Sequence, residues 1–184
     1  MTLVRWVLCF GLLATATPLH AEDAPANKTI EYLEYHQNAV ALKDTQQQHL
    51  LSAEAFLQAL AQKDKKVLLD VRSPEEYACG HITGAVNVSL SEMTEETLAK
   101  IIPLKNTKII IYCNNSLQTM PTRMISMTTQ AYPTLYQLGY QNLYLLQDGY
   151  KSSKGALSRI PLELSADAMQ KCRFLAELKG KPKP

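Results

Sequence analysis

The residue of this sequence that best fits a nucleophile is a cysteine at the end of an apolar run. The apolar residues 109–112 lead directly to Cys113, and the small polar residues 114–116 follow it. A structural cysteine is expected inside an apolar run, whereas open α/β sheets place their ligand sites at the carboxyl ends of strands. Because the thiolate is the reactive form and a free thiol has a pKa of about 8.5, such a cysteine needs surroundings that favour an anion.

The residues after Cys113 are predicted to supply those surroundings. A tight loop would direct successive backbone N–H groups at the sulfur, and such a nest, opening into a helix, stabilises anions. The candidate substrate-binding residues are therefore those of the loop: Asn114, Asn115, Ser116, Leu117, Gln118 and Thr119. A Cys-x5-Arg phosphatase loop would need arginine where Thr119 stands, so phosphatase activity is not expected.

The elements that must position this loop are short apolar strands alternating with helices. Strands are predicted at 66–71, 85–90, 108–113 and 142–146. They lack the alternation of a sheet with one solvated face, which favours a central parallel sheet with helices on both faces. Helices are predicted to begin at the caps Ser52, Ser73 and Thr94. A further helix over 122–138 is expected to break or kink at Tyr132-Pro133.

The first residues have the features of a secretory signal peptide. Arg5 precedes the apolar residues 6–14, and small residues lead to an expected cleavage site after Ala21. The alternative, a membrane anchor, ranks second because a spanning helix needs about 20 apolar residues. We therefore expect an exported protein, periplasmic or secreted, that does not stay in the membrane after cleavage.

The predicted organisation has four parts. They are the signal peptide (1–21), a linker and N-terminal helix (22–50, the helix at about 29–43), the main domain (51–164), and a C-terminal helix with a basic tail (165–184). The formal net charge of +2 and the 20% share of charged residues do not suggest a nucleic-acid partner.

Signal cleavage would leave three cysteines, Cys79, Cys113 and Cys172, and an odd count leaves at least one thiol unpaired within the chain. Their spacing fits no zinc site, and no metal is expected. Cys79 is interpreted either as a packed residue or as a resolving thiol for Cys113. For Cys172 a buried apolar role is expected.

Three sequence blocks carry a resemblance to a known family. LLDVRSPEEYACGHITGAVNVSL resembles the amino-terminal signature of rhodanese domains, IIIYCNNSLQT resembles their active-site strand and loop, and LGYQNLYLLQDGY resembles their closing strand. The blocks occur in order between about Leu51 and Gly155. The resemblance implies one rhodanese-like α/β domain that transfers sulfane sulfur through a cysteine persulfide on Cys113, without a cofactor.

The resemblance also implies roles for other residues and for partners. Asp70 and His81 would support the structure. Arg72 would hold a sulfonate or steady the loop, and a purely structural ion pair with Asp70, Glu75 or Glu76 is an equal alternative. The donor would be a small sulfane-sulfur compound such as thiosulfate or a persulfide. The acceptor would be a thiol, including a protein thiol, or a cyanide-like nucleophile.

The sequence departs from the family pattern around the loop. Ser116 stands where many members have glycine, and the stretch from Cys113 to Gly139 is several residues longer than usual. We therefore expect a divergent exported subgroup whose next helix starts late, around Pro121 or Thr122. These departures keep open a catalytically weak or inactive binding or scaffold module. A thiol redox protein using Cys79 with Cys113 is a third alternative.

Overall fold

The centre of the fold is a parallel sheet of five strands. The computed structural model describes residues 30–118 and 125–168. The strands of the sheet are β1 (Leu50–Leu51), β2 (Lys66–Asp70), β4 (Val86–Asn87), β5 (Lys108–Tyr112) and β6 (Leu143–Leu146). Their order in the sheet is β1-β6-β5-β2-β4, and every neighbouring pair is parallel. The predicted central parallel sheet is confirmed.

Two helices precede the first strand, and the other helices lie in the connections between strands. They are α1 (Tyr32–Ala41), α2 (Lys43–Gln48), α3 (Ala53–Ala61), α4 (Pro74–Cys79), α5 (Glu95–Ile101), α6 (Asn114–Leu117), α7 (Met127–Gln137) and α8 (Lys154–Leu157). Short 3-10 turns cover Leu90–Glu92 and Gly149–Lys151. A separate antiparallel ribbon pairs β3 (Gly80–Ile82) with β7 (Leu162–Leu164). The predicted N-terminal helix is present as α1, and α2 follows it after Leu42.

Both faces of the sheet are covered, as the apolar strands predict. Successive side chains of a strand point to opposite faces. In β5, Ile110 belongs to a core cluster with Phe56 of α3, whereas Ile111 belongs to a second cluster with Leu98 of α5 and Leu135 of α7. The central strand β5 is thereby held between two packed layers, which fixes the position of its carboxyl end.

Three predicted helix starts are confirmed by their caps. The side chains of Ser52, Ser73 and Thr94 each accept a hydrogen bond from the backbone N–H three residues further on. Pro74 occupies the first position of α4. There its fixed φ fits the helix and its missing N–H costs nothing.

Two local predictions differ from the structure. The strand expected over 85–90 is only two residues long, and a 3-10 turn replaces its end. The helix α7 continues through Pro133, so the break that was one of the two outcomes expected there is absent. Proline in a helix loses one backbone hydrogen bond. Tyr132, Pro133 and Leu135 are buried, and this burial of apolar surface opposes that loss.

Several predictions fall on residues that the structure does not describe. These are the signal peptide, the first part of the linker, Thr119, and the C-terminal helix beyond residue 168 with Cys172. Within 30–118 and 125–168, no helix is long and apolar enough to cross a membrane.

Candidate active site

Strand β5 delivers Cys113 to the carboxyl edge of the sheet, where its side chain is 1% exposed. Cys113 occupies the N-cap position of α6, in a capping-box arrangement with Ser116. Its backbone N–H donates to Ser116 Oγ at 3.3 Å, and the Ser116 N–H donates to the Cys113 carbonyl at 3.1 Å. The chain therefore turns tightly directly after the cysteine.

The side chains of the loop divide into anchors and half-exposed groups. Ser116 is fully buried and its Oγ donates to the Leu146 carbonyl at 2.8 Å, while Leu117 is buried in the core. Asn114, Asn115 and Gln118 are half-buried. The side chains of Ser116 and Leu117 therefore anchor the loop. That the backbone N–H groups of this loop bind an anion stays a prediction.

Gly149 lets a second turn pack against this loop. A Cβ atom at position 149 would lie 2.5 Å from the Gln118 carbonyl oxygen and 2.8 Å from that of Ser116. Both distances are shorter than real Cβ contacts, so the loop backbone would have to move. Glycine is required here by the close approach of two backbones.

We therefore expect Gly149→Ala to destabilise the protein by about 1–3 kcal/mol, the usual cost of forcing extra atoms into a packed site. The free energy of unfolding in urea measures this effect. Gly155→Ala is the matched control, because a Cβ there meets nothing within 4 Å and the residue lies in α8. Equal stability of the two variants would contradict the proposed close packing.

Arg72 and Asp70 form a buried ion pair at the end of β2, in which Arg72 is 1% exposed and Asp70 is fully buried. Arg72 Nη2 donates to Asp70 Oδ2 at 2.6 Å, and Nε donates to Oδ1 at 2.9 Å. The backbone N–H of Arg72 also donates to Oδ1, at 3.0 Å. Burial opposes the charge of Arg72, but the Asp70 carboxylate outweighs it and raises the pKa of the guanidinium above its ordinary value.

The same guanidinium reaches the cysteine loop. Asp70 and Tyr112 are register partners in the neighbouring strands β2 and β5, so the residues that follow them lie side by side. Arg72 Nη1 donates to Asn114 Oδ1 at 3.3 Å, and Nη2 donates to the Gly80 carbonyl at 2.7 Å. This geometry favours the loop-steadying and structural interpretations of Arg72. That Arg72 holds a substrate sulfonate stays a prediction, and the structure shows its side chain buried with its donors on protein acceptors.

His81 lies in a turn with partners of its own. Its Nδ1–H donates to the Tyr77 carbonyl at 3.0 Å, its ring stacks on that of Tyr77, and Nε2 lies 3.3 Å from Glu163 Oε2. These contacts tie β3 to α4 and to β7. They give His81 a structural role, and neither of its ring nitrogens contacts Cys113.

The structure shows a contact that the sequence reasoning missed. Ser126 Oγ lies 3.3 Å from Cys113 Sγ, and Thr128 Oγ1 lies 2.7 Å from Ser126 Oγ. Ser126 is the N-cap residue of α7. A serine just before the apolar-periodic residues of α7 is the signal that marks the helix start, but the predicted start at 121–122 concealed it.

The two described cysteines are in different states. Cys79 is disulfide-bonded, whereas Cys113 is free. A bond between Cys79 and Cys113 is therefore absent, and the redox alternative that joins them is not supported. In the described part of the chain, no group of three or more His, Cys, Asp or Glu side chains is placed to hold a metal ion.

Comparison with known proteins identifies the domain. The family model described as the rhodanese-like domain matches residues 52–156. This chain belongs to the rhodanese-like domain family. The rhodanese-like domain from the Anabaena Alr3790 protein aligns with 65% of this chain and 81% of its own length, at a TM-score of 0.50 and 22% identity. At that identity the likeness shows the fold alone.

Curated relatives of the rhodanese-like chain include two kinds of enzyme. M-phase inducer phosphatase 1 of Bos taurus is 37% identical over 94 residues, which are 46% of this chain and 17% of the relative. Thiosulfate sulfurtransferase PspE of Escherichia coli is 35% identical over 75 residues, which are 41% of this chain and 62% of the relative. The chain thus spans less than two thirds of the length of either relative.

Proposed function

We propose that this rhodanese-like protein is a sulfurtransferase or persulfide carrier that uses Cys113. The observation that carries the proposal is a free cysteine at the carboxyl end of the central strand, at the N-cap position of a tight helical turn. The N–H groups at the start of such a turn are suited to an anion. The similarity to a thiosulfate sulfurtransferase supports this choice over the part of the chain that aligns.

The proposed chemistry has two balanced steps. The Cys113 thiolate attacks the outer sulfur of thiosulfate, the S–S bond of thiosulfate breaks, and sulfite leaves with the electron pair. The product is a Cys113 persulfide anion. A thiolate or cyanide acceptor then attacks the outer sulfur of the persulfide, and the Cys113 thiolate leaves with the electron pair.

The thiolate, the persulfide and thiosulfate are all anions, so one set of donors serves the nucleophile, the intermediate and the substrate. The backbone N–H groups that follow Cys113 are the proposed donors. Arg72 acts indirectly, because its hydrogen bond to Asn114 fixes the loop. The proposed partners are a small sulfane-sulfur donor and a thiol acceptor.

Phosphate-ester hydrolysis is the second candidate, since the bovine relative is a phosphatase. Phosphoryl transfer needs cationic charge around the transferred group. Thr119 occupies the position where a Cys-x5-Arg loop would have arginine, and Arg72 is paired with Asp70. These residues favour sulfur transfer over phosphoryl transfer.

One experiment separates the two activities. The mature protein is supplied with thiosulfate and cyanide, and thiocyanate is measured; in parallel it is supplied with p-nitrophenyl phosphate, and phosphate release is measured. We expect thiocyanate well above the rate without protein and no catalysed phosphate release. Phosphate release without thiocyanate would refute the proposed function.

We also propose that the protein is exported and works in an oxidising compartment as a divergent member of its family. The disulfide of Cys79 supports this, because such bonds persist mainly outside the reducing cytosol. Expression of the full chain in a bacterial host, followed by cell fractionation and N-terminal sequencing, tests it. We expect a periplasmic protein that begins at Glu22, and an uncleaved cytosolic protein would contradict export.

A further inference from the structure

The start of helix α7 meets the proposed nucleophile directly. Ser126 Oγ lies 3.3 Å from Cys113 Sγ, within hydrogen-bonding distance for sulfur. The hydroxyl also lies 2.7 Å from Thr128 Oγ1, and Thr128 is buried. Cys113, Ser126 and Thr128 thus form a continuous chain of polar contacts that begins at the sulfur.

Ser126 differs from the hydroxyl caps of four other α-helices in the described residues. In four helices the cap side chain accepts a hydrogen bond from a backbone N–H of its own helix; these caps are Ser52, Ser73, Thr94 and Ser153. Ser126 makes no such cap bond. Its hydroxyl contacts the Cys113 thiol and Thr128 instead. The side chain therefore belongs to the cysteine site and leaves the first N–H groups of α7 without a cap from Ser126.

The direction of the hydrogen bonds follows from the charge of the sulfur. A thiolate can only accept, so the Ser126 O–H must donate to it. The lone pairs of Ser126 then accept the Thr128 O–H, which polarises the Ser126 hydroxyl and strengthens the bond to sulfur. The eleven-residue helix α7 adds the partial positive charge of its N-terminus on the same side.

We propose that Ser126 is a catalytic residue that stabilises the Cys113 thiolate by a direct hydrogen bond, and that Thr128 is its positioning residue. The Ser126 hydroxyl and the start of α7 take the place of the arginine that the loop lacks at position 119. This inference rests on the proposed function for its catalytic meaning. The contact with sulfur can be tested whether or not sulfur is transferred.

The test compares Ser126→Ala and Ser126→Thr with the unchanged protein. The ultraviolet absorbance of the thiolate is recorded as a function of pH. The absorbance of a Cys113→Ser protein, which keeps every tyrosine, is subtracted as the blank. Loss of one hydrogen bond to a charged group should reduce the thiolate fraction at neutral pH by about tenfold and move the titration to higher pH. Ser126→Thr keeps the hydroxyl, so its pH profile of thiolate absorbance should match that of the unchanged protein.

Two further variants separate this role from a general structural effect. Thr94→Ala removes a cap whose hydroxyl bonds to Thr97, and should leave the thiolate profile unchanged. Thr128→Val removes the supporting hydroxyl and should move the titration in the same direction as Ser126→Ala, but by less. If Ser126→Ala fails to fold, Thr128→Val supplies the test.

The outcomes are separable from those of the proposed function. A Ser126→Ala profile that coincides with the unchanged protein overturns the inference. So does a Ser126→Thr profile shifted as far as that of Ser126→Ala, because the hydroxyl would then not be the cause. If the unchanged protein takes no sulfur from any donor, the proposed function fails, yet the thiolate profile still decides whether Ser126 stabilises the anion.

Discussion

Replacing Cys113 by serine is expected to abolish sulfur transfer, with a loss of at least about a thousandfold in the rate of thiocyanate formation. A serine hydroxyl is not ionised at neutral pH and forms no persulfide, so the two-step path through the outer sulfur is closed. The fold should survive, because the side chains are close in size and Cys113 is free of a disulfide. Steady-state assay of the two proteins, with circular dichroism as the check on folding, measures the effect.

The matched control is Cys79→Ser, which removes a cysteine of the same chain and leaves the proposed nucleophile intact. Because Cys79 is disulfide-bonded, this variant is expected to lose stability while its folded fraction keeps sulfur transfer. A redox protein that used both cysteines would lose activity in either variant. Equal loss in Cys79→Ser and Cys113→Ser, on folded protein, would therefore contradict our assignment.

The second large effect is expected from Arg72→Met. This change removes the cation of a fully buried ion pair and leaves the Asp70 carboxylate without compensation. Breaking a buried pair from one side costs about 3–5 kcal/mol, far more than the pair itself contributes. We expect the free energy of unfolding in urea to fall by that amount. Sulfur transfer should also fall in the folded fraction, because Asn114 loses its contact with Arg72.

The control for Arg72→Met is Lys100→Met. Lys100 pairs with Glu96 on the exposed surface of α5, with both side chains more than two thirds exposed. An exposed pair contributes little because water screens the charges, so this variant should unfold close to the unchanged protein. A double variant, Asp70→Leu with Arg72→Met, removes both charges and should recover much of the loss. If Arg72→Met alone were as stable as Lys100→Met, the buried pair would not support the loop.

The features of the fold that depend on local patterns were predicted from the sequence. The strands predicted at 66–71 and 108–113 are each one residue shorter in the structure. These strands, the helix caps and the cysteine at a strand end all follow from rules that act over a few residues. Pro133 shows where such rules fail. Its local preference is to end a helix, but tertiary packing buries it within α7 and keeps the helix continuous.

The parts of the site that depend on distant contacts were not predicted. The sequence left open whether Arg72 meets substrate or Asp70, because the choice depends on burial that the two strand ends create together. The ribbon of β3 with β7 joins segments about eighty residues apart, and three-residue strands leave little periodic signal. Ser126 was missed for a similar reason: its role comes from α7 folding back to the end of β5.

The scaffold alternative has its own physical basis, since Cys113 is almost completely buried and the loop lacks arginine. A module that only binds a partner would keep the fold without forming a persulfide. The Cys113→Ser variant of such a module would also retain its biological activity. Turnover assays alone do not separate this alternative from a carrier that is slow to release sulfur, so the intermediate itself must be measured.

The most direct test of the central claim is the mass of Cys113 after reaction with a sulfur donor. The folded protein, with Cys113 as a free thiol and the disulfide of Cys79 intact, is incubated with thiosulfate and with a small persulfide, and its peptides are analysed by mass spectrometry without reductant. We predict a gain of about 32 Da, one sulfur atom, on the peptide that contains Cys113, and its loss on addition of a thiol acceptor. An unchanged mass at Cys113 with every donor, on folded protein in which Cys113 is shown to be a free thiol, would contradict the claim that this cysteine carries sulfur.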